Sequence, residues 1–185
     1  MIRVLDFLFA LFGLVLLSPV LLVLMVLGWL DTKSPLFRQQ RVGRHQKPFT
    51  LVKFRTMRPD TVSVATHLAD ASAVTKFGGF LRCSKLDELP QLWNVLTGDM
   101  SLVGPRPCLF NQTGLVEERA KRNVFAVRPG ITGLAQIQGI DMSTPELLAR
   151  TDASMIKTLT LKQYFGYILS TMTGKGSGDR IKADQ

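Results

Sequence analysis

The sequence predicts a mainly helical α+β protein, in which a broken membrane helix precedes a small cytoplasmic domain with short strands. Three observations lead to this fold class: a long apolar segment near the N-terminus, a run of alternating apolar and basic residues, and later segments with apolar residues at helical spacing. We expect a membrane segment at 1–32, a cytoplasmic domain at 33–173 and a disordered, glycine-rich and charged tail at 174–185.

The composition fits one domain with an anionic partner. The chain has 185 residues, 46% of them hydrophobic, and a formal charge of +9, which favours a phosphorylated substrate, an anionic lipid or nucleic acid. A solvated basic surface explains the charge alone equally well. No nucleic-acid-binding motif is visible, and Cys83 and Cys108 lack the spacing of metal ligands, so we expect reduced thiols and no nucleic-acid partner.

The N-terminal apolar segment runs without a charge from Phe7 to Leu30. Its length of about 24 residues exceeds the roughly 20 that a transmembrane helix needs. Ser18 and Pro19 divide it near the middle, and proline breaks or kinks a helix because it lacks an amide hydrogen. Each half then holds about 11 residues, or roughly 17 Å of helix, which is too short to cross a hydrocarbon core of about 30 Å.

The charges that flank this segment bear on its topology. Arg3 precedes it, and several basic residues follow it, namely Lys33, Arg38, Arg41 and Arg44. Positive charge marks the cytoplasmic side of a membrane, so a re-entrant hairpin that enters and leaves on one face satisfies both flanks. A kinked spanning helix stays an equal alternative, because transmembrane helices tolerate proline.

The elements of the cytoplasmic domain follow in chain order. Residues 48–57 alternate apolar and basic side chains and predict a strand, whereas 58–75 predict a loop with one helical turn. A basic turn at 76–82, helices at 87–96 and 117–123, loops at 98–107 and 128–133, and two helices between 144 and 173 complete the domain. The last helix either lies at the membrane surface or packs in the core.

Two adjacent carboxylates are candidates for chemistry. Apolar residues recur at helical spacing from 89 to 96, so we expect Asp87 as the N-cap of this helix and Pro90 in its first turn. Asp87 and Glu88 would then lie at the positive end of a helix dipole, close to Arg82, where phosphates bind. On spacing alone, an ordinary helix cap is the simpler explanation.

Two arginines lie in stiff loops that suit phosphate binding. Arg106 stands between Pro105 and Pro107, and Arg128 precedes a Pro-Gly pair. Proline restricts the backbone, and a planar guanidinium held in place can bind a phosphate through two nitrogens. An ordinary surface turn explains either loop equally well when that loop is considered by itself.

Four motifs in order resemble those of the bacterial sugar transferases, the small monotopic phosphoglycosyl transferases. They are KFRTM at 53–57, LDELPQLWNV at 86–95, GDMSLVGPRP at 98–107 and RPGITGLAQ at 128–136. The resemblance covers the chain from Arg3 to about Thr173. It implies that Ser18 and Pro19 break a re-entrant helix in the bacterial inner membrane, with the catalytic domain on the cytoplasmic face.

The same resemblance implies a reaction. A sugar-1-phosphate would move from a UDP-sugar to undecaprenyl phosphate through a covalent aspartyl-phosphosugar intermediate, with release of UMP. This step would initiate assembly of a glycoconjugate such as O-antigen, capsule, exopolysaccharide or a glycoprotein glycan. A homodimer is the expected oligomer.

Particular residues take roles in this implied reaction. Asp87 would be the nucleophile and a ligand of Mg²⁺, with Glu88 as its catalytic partner. Lys53, Arg82 and Arg106 match the family's basic positions near the phosphates, and Arg128 joins them from its loop.

One segment departs from the family pattern, and two other functions compete. After Gln136, relatives often have Asn-Gly-Arg, whereas this chain has Gln138, Gly139 and Ile140, which predicts an altered sugar pocket or acceptor surface. The competing functions are a non-enzymatic membrane adaptor that binds anionic lipid, and a glycosyltransferase that releases UDP. Nothing in the sequence selects the sugar.

Overall fold

The computed structural model describes residues 2–61, 71–174 and 176. Within these residues the chain is mainly helical, with a few short strands, as the sequence predicts. Residues 62–70, which form half of the expected loop at 58–75, and nearly all of the expected tail at 174–185 lie outside the described residues.

The N-terminal segment is a bent pair of helices, α1 (Ile2–Leu16) and α2 (Ser18–Thr32), with an angle of 64° between them. Pro19 has no amide hydrogen for the carbonyl of Val15, and the Ser18 hydroxyl donates to that carbonyl instead, at 2.8 Å. Each helix has 15 residues, because helical bonding continues into the polar flanks. Among the described residues no single helix is long and apolar enough to cross a bilayer, and the bent pair reaches the required length and hydropathy only when its two helices are taken together.

A β-hairpin follows the helix pair. Strands β1 (Leu36–Val42) and β2 (Pro48–Phe54) pair antiparallel, with Leu36 opposite Phe54 and Val42 opposite Pro48. The sequence predicts β2 but not β1, whose own residues alternate less clearly. The side chain of Asn94 extends the hairpin, since it accepts from the Val52 amide at 3.0 Å and donates to the Thr50 carbonyl at 2.8 Å.

The expected basic turn at 76–82 is a helix, α3 (Lys76–Ser84). The Thr75 hydroxyl caps it by accepting from the Gly78 amide at 2.8 Å. A Cβ on Gly78 would lie 2.0 Å from the carbonyl oxygen of Thr56, so only glycine lets the helix approach the end of β2 this closely. This approach brings Arg82 to Thr56, whose hydroxyl accepts from the arginine Nε at 2.8 Å.

The remaining elements form the rest of the domain. They are α4 (Gln91–Thr97), β3 (Ser101–Val103), α5 (Thr113–Lys121), β4 (Gly130–Thr132), α6 (Leu134–Ile137), α7 (Pro145–Thr158) and α8 (Leu161–Met172). The two helices expected near the C-terminus are confirmed as α7 and α8, and α5 starts earlier than expected. Strands β3 and β4 pair in parallel where the sequence predicts loops.

Both N-terminal helices pack one face against the domain. Ala10 of α1 lies in a cluster with Phe49, Val95 and Met100, and Leu24 of α2 packs with Phe54 and others. The opposite faces carry many exposed large apolar side chains, among them Phe12, Val15, Leu16, Leu22 and Val26. A continuous exposed apolar surface of this kind marks an interaction site rather than ordinary protein surface.

Polar contacts tie the start of α1 to the domain. The buried carboxylate of Asp6 accepts from the Ser101 hydroxyl at 2.8 Å, the Leu102 amide at 2.9 Å and the Tyr164 hydroxyl at 2.8 Å. Burial, and then the bond to Asp6, raise the pKa of Tyr164, so this hydroxyl stays protonated and keeps donating. Arg3 adds a bond to the Leu96 carbonyl at 3.0 Å.

The end of α2 is tied to the same domain. Asp31 accepts from the Thr75 hydroxyl at 2.7 Å. Gly28 lets α2 approach the following chain, because a Cβ there would lie 3.1 Å from the Pro35 Cβ. Both outer ends of the bent pair therefore meet one folded unit.

Candidate active site

The two adjacent carboxylates lie in a tight 3₁₀ turn, Leu86–Glu88, between α3 and α4. Lys85 adopts the left-handed conformation, with φ of 58°, which ends α3 and starts the turn. Asp87 and Glu88 are 2% and 8% exposed. Carboxylates are seldom buried this far without a partner or a function.

The prediction that Asp87 is an N-cap is wrong. Helix α4 begins at Gln91, Pro90 occupies the capping position, and no side chain caps the helix. The turn supplies its own bonds, since the Glu88 amide donates to the Lys85 carbonyl at 3.3 Å and the Leu89 amide to the Leu86 carbonyl at 3.2 Å. Capping of α4 therefore does not explain why a buried aspartate occupies position 87.

Arg106 reaches the carboxylate pair from a distant loop. Its Nη2 lies 3.0 Å from Oε1 of Glu88, and its side chain keeps 25% of its surface exposed. The structure thus joins the motif at 98–107 to the motif at 86–95. The guanidinium is positioned by a carboxylate while part of it still faces solvent.

Two glycines fix the loop that carries Arg106. A Cβ on Gly130 would lie 2.0 Å from the amide nitrogen of Gly104 and 2.5 Å from its Cα. The same backbones are joined by hydrogen bonds from the Gly130 amide to the Pro105 carbonyl and from the Gly104 amide to the Thr132 carbonyl, both at 2.8 Å. The backbones of the third and fourth motifs are therefore in direct contact. This contact fixes the position of the loop that carries Arg106.

A buried ion pair supports the same loop from behind. The Nη1 of Arg119 donates to the Arg106 carbonyl at 2.8 Å, and its Nε and Nη2 donate to Oδ2 of Asp152 at 3.0 and 2.7 Å. Both side chains are almost fully buried. Burial raises the pKa of Asp152, and the Arg119 guanidinium opposes that shift.

Sequence reasoning missed this pair, although a signal was present. Arg119 follows the buried Leu115 by one helical turn, and Asp152 lies between the buried Leu148 and Met155 on α7. A charged residue in line with a buried apolar face indicates an internal partner. Periodicity alone does not identify that partner.

Lys53 and Arg82 border the same turn. Lys53 is a buried residue of β2, a strand that packs against the turn, and its Nζ lies 5.8 Å from the Phe37 ring centroid. Arg82 lies in the last turn of α3, just before Lys85. Arg106 thus contacts Glu88 directly, whereas Lys53 and Arg82 lie on elements, β2 and α3, that pack against the carboxylate turn. Their binding of phosphate stays a prediction.

Arg128 lies elsewhere. Its Nε donates to the Gly98 carbonyl at 2.7 Å, and Gly98 ends α4 whereas the carboxylates precede it. A helix of this length spans about 10 Å. The described contact therefore secures the far end of α4, and phosphate binding by Arg128 stays a prediction.

In the segment that departs from the family pattern, Gln138 and Gly139 are exposed, and Ile140 is partly buried. Ile140 contacts the apolar cluster that contains Val42, Cys108 and Leu115. Gly139 precedes it with φ of 71°, a conformation that favours glycine. Ile140 thus packs against this core cluster while part of its side chain stays exposed.

These features define a class of site: a buried carboxylate pair among cationic side chains, suited to anionic substrates, beside an exposed apolar helix pair. The chain matches the family of bacterial sugar transferases over residues 1–175. It belongs to that family, and it is therefore a sugar transferase.

Curated relatives agree with this assignment. The uncharacterized sugar transferase EpsL of Bacillus subtilis is 46% identical over 74% of this chain and 68% of its own length. The UDP-glucose:undecaprenyl-phosphate glucose-1-phosphate transferase of Caulobacter vibrioides is 40% identical over 92% of this chain and 67% of its own length. The exopolysaccharide production protein PSS of Rhizobium leguminosarum is 36% identical, with 94% of this chain and 96% of that protein covered.

Proposed function

We propose that this protein is a phosphoglycosyl transferase that moves a sugar-1-phosphate from a UDP-sugar to undecaprenyl phosphate and releases UMP. The observation that carries the proposal is the buried Asp87–Glu88 pair, whose Glu88 is joined to Arg106 by an ion pair. The name of the Caulobacter relative describes a reaction of this class. The product would initiate assembly of a bacterial glycoconjugate.

In the first half-reaction the Asp87 carboxylate attacks the phosphorus that bears the sugar. A bond forms between a carboxylate oxygen and that phosphorus, and the bond from phosphorus to the bridging oxygen breaks, so that UMP leaves. Arg106, Lys53 and Arg82 offset the repulsion between the carboxylate and the diphosphate. Glu88 keeps Arg106 in place through their ion pair.

In the second half-reaction an oxygen of undecaprenyl phosphate attacks the same phosphorus. The bond to Asp87 breaks, the carboxylate is regenerated, and the sugar leaves on the lipid as a diphosphate. The low exposure of Asp87 limits access of water, which would otherwise hydrolyse the intermediate.

The donor set suits Mg²⁺, which commonly takes one or two carboxylates and completes its shell with water and substrate phosphate oxygens. The described residues contain no cluster of three or more histidine, cysteine or acidic side chains that could hold a metal ion. In this part of the chain, a bound ion would therefore need water or substrate as additional ligands. Asp87 would hold the ion, with Glu88 adjacent. When bound, Mg²⁺ would supply charge neutralisation at the diphosphate.

A re-entrant hairpin places this site at the inner membrane, on the cytoplasmic face. Its support is that Arg3 and Asp6 at one end of the bent pair, and Asp31 at the other, contact the same domain. The bend itself lies among exposed apolar side chains. This arrangement suits an enzyme that takes one substrate from water and the other from the bilayer.

The identity of the released nucleotide distinguishes the proposed function from the competing ones. A panel of UDP-sugars should be incubated with the enzyme, Mg²⁺ and undecaprenyl phosphate, and the released nucleotide identified. UMP supports phosphosugar transfer, whereas UDP indicates glycosyl transfer. No nucleotide release with any donor, together with binding to anionic vesicles, would favour the adaptor.

The first prediction concerns Asp87. With the correct UDP-sugar and Mg²⁺ but no lipid acceptor, the enzyme should release up to one UMP per chain and carry a phosphosugar on the peptide that contains Asp87. Asp87→Asn keeps the size of this buried side chain and should abolish both half-reactions, as measured by UMP release and mass spectrometry. Glu88→Gln should be severely impaired as well.

Asp60→Asn is the matched control, because it makes the same change at an exposed carboxyl and should leave turnover unchanged. Normal turnover in a folded Asp87→Asn protein would reject Asp87 as the nucleophile. An active enzyme without a detectable adduct would instead indicate direct attack by the lipid phosphate, with Asp87 as a metal ligand.

A further inference from the structure

A groove of about 580 Å³ opens beside the carboxylate pair, between the end of α3, the Leu86–Glu88 turn and α8. Its wall is mainly apolar and includes Leu86, Leu89, Leu92, Ile131, Ile168 and Met172. This volume lies within the roughly 300–1,000 Å³ of small-molecule sites. Glu88 forms part of the lining, so the groove reaches the proposed site of chemistry.

The groove also meets an exposed apolar stripe on α8. The stripe consists of Leu161, Phe165, Leu169 and Met172, which recur at helical spacing and are all exposed. Met172, 80% exposed, belongs to both the stripe and the groove. The Phe165 ring makes an edge-to-face contact with Phe9 of α1, at 5.9 Å between centroids, so the stripe continues the apolar surface of the bent helix pair.

A cation lies where the groove approaches the carboxylates. Lys85 lines the groove, and its Nζ is 3.5 Å from the Thr171 carbonyl on α8. The groove therefore combines a mainly apolar wall with two charged side chains, Lys85 and Glu88, and Glu88 is in turn paired with Arg106.

We propose that this groove binds the first isoprenoid units of the polyprenyl phosphate acceptor, with the acceptor phosphate between Lys85 and the carboxylate turn. This proposal rests on the proposed function. A polyprenyl phosphate has one apolar chain and one anionic end, as the groove requires. A nucleotide-sugar is polar throughout and would leave the apolar wall uncovered.

Cys83 offers a direct test, because it is exposed and lines the groove, whereas Cys108 is buried. The full chain in nanodiscs, without donor, should be treated with a maleimide in the presence of polyprenyl monophosphate, the same polyprenol without phosphate, or phosphatidylglycerol. Polyprenyl phosphate should slow alkylation of Cys83 saturably, and polyprenol should do so less. Absence of protection by polyprenyl phosphate, or equal protection by phosphatidylglycerol, would overturn the proposal.

A matched pair of variants tests the groove during turnover. Met172→Glu places a charge in the groove, whereas Leu161→Glu places the same charge on the same stripe outside it. Met172→Glu should raise the acceptor concentration required for the second half-reaction on the order of tenfold, equivalent to about 1.4 kcal/mol of binding. Leu161→Glu should not change it, and equal defects in both variants would reject the groove.

The two proposals fail in different ways. If no donor yields UMP, the proposed function fails, while protection of Cys83 still reports whether the groove binds the lipid. If UMP is released normally from donor alone but Cys83 is not protected and Met172→Glu uses acceptor normally, only the groove proposal fails.

Discussion

Arg106 is held from two directions: its guanidinium donates to Glu88, and its carbonyl accepts from Arg119. Arg106→Lys keeps the charge but loses the planar fork that can contact Glu88 and a phosphate together. We expect slower UMP release at unchanged folding, with a barrier raised by about 1–3 kcal/mol. Single-turnover UMP release with donor alone measures this change.

Arg150→Lys is the control for that experiment. Arg150 is an exposed residue of α7 that pairs with Glu146 at 3.0 Å, and its replacement should leave UMP release unchanged. Wild-type rates in Arg106→Lys would count against phosphate binding by Arg106.

Asp152 makes a different residue-scale contribution, which is to stability. Asp152→Asn would leave the Arg119 guanidinium buried without a counter-charge, which typically costs about 3–5 kcal/mol. The free energy of unfolding, measured by denaturant titration in detergent, should fall by that amount. Removal of both charges in Arg119→Met with Asp152→Asn should cost less than the sum of the two single changes, which a double-mutant cycle resolves.

Glu146→Gln provides the comparison for Asp152→Asn on the same helix. Its exposed pair with Arg150 should contribute less than about 1 kcal/mol. Equal losses in the two variants would show that the buried pair has no special role.

At the scale of elements, the contact between the loop at 98–107 and β4 depends on the absence of side chains. Gly130→Ala would put a Cβ 2.0 Å from the Gly104 nitrogen, so the two backbones must separate. We expect destabilisation of about 1–3 kcal/mol and slower UMP release, because the loop carries Arg106. Thermal unfolding and single-turnover release measure the two effects.

Gly114→Ala is the matched change on α5, where nothing lies within 4 Å of the added Cβ. Alanine should be neutral there or stabilise the helix by up to about 1 kcal/mol. If Gly130→Ala were as well tolerated as Gly114→Ala, the loop contact would not determine the position of Arg106.

At the scale of the whole molecule, both ends of the bent helix pair should face the cytoplasm. Single cysteines at Val4 and Lys33, in a chain without Cys83 and Cys108, should react with an impermeant maleimide only after the inner membrane is opened. Pro19→Ala restores an amide hydrogen for the Val15 carbonyl and should straighten the pair, so that some molecules span the membrane and expose one position outside.

Pro145→Ala is the control, because Pro145 also begins a helix but lies in α7, outside the membrane segment. It should leave the labelling pattern unchanged. Labelling of either wild-type end from outside would reject the hairpin.

Several features followed from the sequence because their causes are local. The break at Ser18 and Pro19 comes from a missing donor, which Ser18 compensates within one turn. Helices α7 and α8 follow from apolar spacing within each segment. The motif at 86–95 likewise places Asp87 and Glu88 side by side, although the turn type that holds them was not predicted.

Only the tertiary structure decided the contacts between distant segments. The bond from Tyr164 to Asp6 joins residues 158 positions apart, and that from Arg106 to Glu88 joins residues 18 apart. The pairing of β3 with β4 and the groove beside Glu88 arise in the same way. The periodicity of a segment indicates which face of a helix or strand is buried. The residues that pack against that face depend on the packing of the whole chain and cannot be deduced from the segment alone.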